Sequence, residues 1–68
     1  MYRVHSIAVW KEYRNKADTI IEKYQAYFDD IYVENRSHTV AYHISPYVSD
    51  DIDMIINEFE QNGIQVFK

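Results

Sequence analysis

Residues 30–44, DIYVENRSHTVAYHI, alternate apolar and polar side chains on both sides of a short polar turn. Ile31 and Val33 alternate with Tyr32 and Glu34. Beyond Asn35-Arg36-Ser37, Val40, Tyr42 and Ile44 alternate with Thr39, Ala41 and His43. A period of two, rich in β-branched and aromatic residues, is the signature of paired strands. A lone hairpin with one apolar side is marginal in water, so that side needs a covering layer. The hairpin therefore predicts that the rest of the chain is arranged over one of its faces.

The flanking segments supply candidates for that cover. Residues 2–10 read as a strand, because Val4, Ile7 and Val9 are β-branched. Tyr13, Ala17, Ile20, Ile21, Tyr24, Tyr27 and Phe28 then recur at spacings of three and four, the stripe of an amphipathic helix. Asn15 is a candidate N-cap, with Lys11 as an earlier alternative start. Asp29-Asp30 oppose the helix dipole and mark the end of the stripe. After the hairpin, Pro46 stops the strand because it has no N–H to donate. Ser49 is placed to cap a second helix, with Asp50, Asp51 and Asp53 favoured in its first turn. Ile52, Ile55, Ile56 and Phe59 form its stripe. Gly63, the only glycine, sits where a left-handed residue ends a helix, and Ile64 follows as its apolar contact. Residues 64–67 read as a short closing strand. The order is βαββαβ over residues 1–68 as one domain. It predicts a ferredoxin-like α+β fold: a four-stranded antiparallel sheet with two helices on one face.

Register decides which side chains the helices cover. A two-residue turn at Arg36-Ser37 sets Val33 opposite Val40 and Ile31 opposite Tyr42. Pairing the first strand with Val4 near Ile44 sets small Ser6 and Ala8 opposite large Tyr42 and Val40, which fills a thin core without strain. Val4, Ala8, Trp10, Ile31, Val33, Val40, Tyr42 and Ile44 are then expected under the helices. His5, Ile7, Val9, Tyr32, Glu34, Thr39, Ala41 and His43 are expected on the open face. A slip of one residue would exchange the two sets.

Composition narrows the function classes. A chain of 68 residues without cysteine has no disulfide and no thiolate chemistry. It sits near the lower size limit for an unstapled core, so association with another chain is an expected source of stability. Net charge is −4, divided as +2 over residues 1–28 and −6 over residues 29–68. Phosphate contacts depend on Lys and Arg, so the balance disfavours nucleic acid and points to a basic partner for the second half. No apolar run approaches the roughly 20 residues of a membrane span. No signal peptide is evident, and a cytoplasmic location is expected.

Catalytic and metal motifs are not found. His5 and His43 would be cross-strand neighbours in the expected register, and with Glu34 they could contact a metal. A tetrahedral site needs three or four ligands, so two ordinary surface histidines explain them better. Helix capping accounts for Asp50, Asp51 and Asp53 better than a calcium loop, since the required glycine and distal glutamate are missing. Glu58 and Glu60 are expected on the exposed side of the second helix. A single glycine argues against a phosphate-cradling loop. No cofactor, metal or catalytic residue is expected.

The expected partner-binding surface combines the open face, at His5, Ile7, Val9, Tyr32, Ala41 and His43, with the acidic second helix, at Asp50, Asp53 and Glu60. Such a patch points to a non-catalytic protein–protein interaction module. Its size and acidity suit a small inhibitor or modulator of the kind phages encode. A homodimer is the simplest cover for the open face. The alternatives are a single-stranded nucleic-acid binder of RNA-recognition type, which shares the βαββαβ order, and a small-ligand or metal-sensing domain.

Overall fold

A computed structural model of the chain describes residues 4–67. Strand β1, His5–Trp10, leads through a 3₁₀ turn at Lys11–Tyr13 into helix α1, Arg14–Lys23. A second 3₁₀ turn, Gln25–Tyr27, leads into strand β2, Phe28–Asn35. Strand β3, Thr39–Pro46, and helix α2, Asp51–Gln61, follow. The sheet has three antiparallel strands in the order β1-β3-β2.

The expected four-stranded ferredoxin-like sheet is not formed, although the α+β class stands. The closing segment meets β1 at a single antiparallel bridge, Ala8 with Phe67. Phe67 N–H donates to Ala8 O at 2.8 Å, and Ala8 N–H donates to Phe67 O at 3.2 Å. The cause is local. Gly63 takes φ +75°. Ile64 N–H returns to Phe59 O and Gly63 N–H to Glu60 O, both at 3.0 Å, which completes a Schellman cap. That cap drops Ile64 into the core, and the described chain reaches the sheet only at Phe67. Gly63 and Ile64 thus play the parts their positions predict.

The first strand is shifted by one residue from the expected register. His5 pairs with Ile44, Ile7 with Tyr42 and Val9 with Val40. Ile7 and Val9 are therefore fully buried under the helices, at 0% exposure. Ser6, Ala8 and Trp10 take the open face instead. The physical reason is volume: two β-branched side chains bury more apolar area than Ser6 and Ala8. The hairpin itself turns at Ser37-His38, where Arg36 N–H donates to Thr39 O at 2.9 Å. Val33 pairs with Tyr42 and Ile31 with Ile44. That is a shift of two residues, so Ile31 and Val33 stay on the helix side, but at 38% and 36% exposure they are not covered by the helices as expected.

The helices start and stop differently from their sequence signals. Asn15 lies inside α1, where its carbonyl accepts from the Thr19 hydroxyl at 3.1 Å. The helix ends at Lys23, so Tyr27 belongs to the following turn and Phe28, Asp29 and Asp30 to β2. Ser49 caps no helix by its side chain; its carbonyl accepts from Ile52 N–H in the turn that leads into α2. Ala17, Ile20 and Ile21 of α1 and Ile52, Ile55 and Phe59 of α2 pack on Ile7, Val9, Val40, Tyr42 and Ile44. The helices are clasped at Glu58. Its carboxylate accepts from the Tyr24 hydroxyl at 2.8 Å and pairs with Lys23 Nζ at 3.3 Å.

Candidate functional site

The open face is built on two alanines. Ala8 and Ala41 are directly opposed on β1 and β3, and both are buried despite facing away from the helices. Larger side chains stand around this floor. Trp10 and Phe67 meet edge to face at one side, with centroids 5.0 Å apart. At the other, Tyr32 stacks on its cross-strand partner His43 at 5.7 Å and 25°. Tyr32 is 66% exposed, so one face of its ring is free to meet another molecule.

His43 is held by two neighbours. The Ser6 hydroxyl lies 2.7 Å from Nδ1, and Glu34 Oε1 lies 2.9 Å from Nε2. An ionised carboxylate can only accept, so Nε2 carries the proton and Nδ1 accepts from Ser6 when the ring is neutral. Arg36 Nη2 bonds the same Glu34 oxygen at 3.1 Å. Hydrogen bonds from Arg36, and then from His43, hold the Glu34 carboxyl below its usual range. Hydroxyl, imidazole and carboxylate in this order resemble a proton relay. Ser6 itself is exposed on the open sheet. These bonds hold His43 and Arg36 in place beside Tyr32.

The anticipated surface residues divide into four groups. Tyr32, Ala41 and His43 are brought together as expected. Ile7 and Val9 are interior and offer no surface. His5 lies on the helix side, opposite in register to Ile44, so it does not neighbour His43 and the two cannot share a metal. Its Nε2 is buried without a hydrogen-bond partner among the described residues. Asp53 and Glu60 are exposed on α2, and Asp50 is exposed at its N-cap. They lie beyond the opposite side of the sheet, so one flat partner surface cannot touch both them and Tyr32. Among the described residues, no cluster of three or more His, Asp or Glu is placed to hold a metal ion.

Ser6, Trp10 and Arg36 belong to the surface, although spacing along the chain does not place them there. The contrast of branched Ile7 and Val9 with small Ser6 and Ala8 is the signal that locates the first two. On the helix side, α1 stops short of the β2 edge and leaves a groove of about 250 Å³. It is floored by Ile21, Phe28, Ile31, Val33 and Tyr42 and rimmed by Asp18, Glu22 and Gln25. No helix among the described residues is long and apolar enough to cross a membrane. Comparison with protein-family models, curated proteins and solved structures gives no match.

Proposed function

We propose that the chain is a non-catalytic protein-binding module that engages its partner through the open face of the sheet, acting as an inhibitor or modulator of that partner. The observation that carries this reading is the exposed Tyr32 ring, stacked on a His43 that Ser6 and Glu34 hold in place. Aromatic and Arg side chains dominate the energetic centres of protein interfaces, and a fixed ring loses little entropy on binding. Tyr32, Trp10 and Arg36 provide such groups around a floor of small side chains. The net charge of −4 favours a basic partner surface.

A photo-crosslinking amino acid at position 32, compared with position 53 on α2, tests the reading in host extract. The expected result is one specific protein adduct from position 32. Its purified partner should then bind Tyr32→Ala at least about tenfold more weakly than wild type. Adducts from position 53 alone, or unchanged affinity of Tyr32→Ala, would overturn it. The exposed ring also favours one second reading, base stacking of single-stranded nucleic acid, which the neighbouring Glu34 and the net negative charge oppose. Micromolar binding to an oligonucleotide that falls steeply with salt would decide for that reading.

A further inference from the structure

The β2 edge of the sheet carries a self-complementary pattern. Arg36 N–H donates to Thr39 O inside the hairpin. The alternation of an antiparallel ladder then turns the N–H and C=O groups of Ile31, Val33 and Asn35 outward. No strand among the described residues pairs with that side of β2. Ile31 and Val33 remain 38% and 36% exposed beside the groove that α1 leaves uncovered. The edge is acidic at its start, with Asp29 and Asp30, and basic just past its end, with Arg36.

We propose that this edge pairs with the same edge of a second copy, antiparallel, with Val33 on the two-fold axis. Outward-facing residues must pair with outward-facing residues, so Val33 meets Val33 of the second copy and Ile31 meets Asn35 of the second copy. Asp30 then stands opposite Arg36 of the second copy, twice over. The neighbouring registers are worse. With Tyr32 on the axis, Asp30 faces Glu34 of the second copy. With Glu34 on the axis, two glutamates face each other. Like charges directly opposed destabilise a ladder, whereas opposite charges support it.

One backbone contact must exchange, and Arg36, whose Nη2 bonds Glu34 in the single chain, must turn another guanidinium nitrogen to the second copy. Asp30 Oδ1 accepts from Ile31 N–H at 2.8 Å and so blunts the edge of the single chain. In the pair, the Asn35 carbonyl of the second copy takes that N–H, and the freed carboxylate passes to Arg36 of the second copy. The product is a continuous six-stranded sheet made from two three-stranded ones. It brings the two apolar grooves side by side. The inference depends on the edge alone, so its failure leaves the open-face reading intact.

Sedimentation of wild type, Asp30→Arg, Arg36→Asp and an equimolar mixture of the two variants tests it, with circular dichroism confirming that each is folded. Wild type should dimerise as concentration rises. Each variant alone sets like charges opposite at both ends and should associate at least about tenfold more weakly. The mixture should recover association. At one end the arginine introduced at position 30 then faces the aspartate introduced at position 36, and at the other the native Asp30–Arg36 pair forms. Hydrogen exchange on wild type gives a reading that needs no variant: the Val33 and Asn35 amides should slow with concentration. A monomeric wild type up to millimolar concentration, variants that associate as wild type does, a mixture that recovers nothing, or exchange independent of concentration would each overturn the proposal.

Discussion

The Tyr42 hydroxyl donates to the Asp18 carboxylate, so the middle of the central strand is tied to α1 by the one polar atom of a ring that is otherwise in the core. Burial first, and then the Asp18 hydrogen bond, push the Tyr42 hydroxyl well above the usual tyrosine range. A folded pKa raised above the unfolded value contributes stability that is complete below the unfolded value, about 10, and is lost as pH rises beyond it. Ultraviolet titration of the tyrosines should therefore show one that ionises only as the protein unfolds in alkali. Tyr42→Phe should cost about 1–2 kcal/mol in denaturant melts and remove that lagging step.

The Glu58 clasp has an acid limb. The Tyr24 hydroxyl, followed by Lys23, holds the Glu58 carboxyl below its ordinary range. Its contribution is present above the unfolded glutamate value and is lost as pH falls through the lower folded value. The same bonds raise Lys23 and Tyr24, so their contribution fades as pH rises above their unfolded values. Wild type should melt lower at both extremes than at neutral pH. Glu58→Gln should flatten both limbs, and a variant that retained their full slopes would assign them to other groups.

Register can be checked by paired substitutions on β1 and β2. Ile7→Ala should destabilise the fold by roughly 2–5 kcal/mol, because it opens a cavity beneath both helices. Tyr32→Ser should cost no more than about 1 kcal/mol, because it removes a surface stacking contact. Urea melts measure both. The reverse ranking would mean that β1 presents its other face.

His5 carries a buried nitrogen with no partner among the described residues. Leucine keeps comparable volume and has no polar atom to desolvate. His5→Leu should raise stability by about 1 kcal/mol, read as a higher melting temperature.

Gly63 holds a positive φ with open space around its missing side chain. Gly63→Ala should cost roughly 1–2 kcal/mol from backbone strain alone. It should loosen the Ile64 cap without altering the sheet, which a denaturant melt and hydrogen exchange at the Ile64 amide would read together.

The sequence was most legible where pattern and chemistry agreed. Val40, Tyr42 and Ile44 alternate cleanly, and Gly63 has one physical role open to it. The α2 stripe of Ile52, Ile55 and Phe59 is buried as its spacing predicts. The first strand was ambiguous because Trp10 and Val4 lent apolar weight to one set while Ile7 and Val9 lent it to the other. Trp10 is in fact 40% exposed against Phe67, a contact between residues far apart in sequence. The helix-like spacing of Tyr24, Tyr27 and Phe28 misled for a related reason: all three face inward or toward each other, but around a turn. The Ser6–His43–Glu34 network joins three strands, and its assembly required the β1 register, which spacing along the chain does not contain.

A single surplus residue near the start of β2 has a further consequence. Phe28 pairs with Pro46 and Ile31 with Ile44, so Asp29 and Asp30 together face only Ser45 across the ladder. This bulge lets Phe28 and Ile31, three apart, point to the same side. The number of residues there, more than their identity, sets the parity of the strand. Exchanging either aspartate for another polar residue leaves the hydrophobic seating alone. Deleting either would rotate Phe28 into solvent or turn Ile31, Val33 and Asn35 onto the wrong face. Point changes are thus tolerated at a site where a length change of one codon is not.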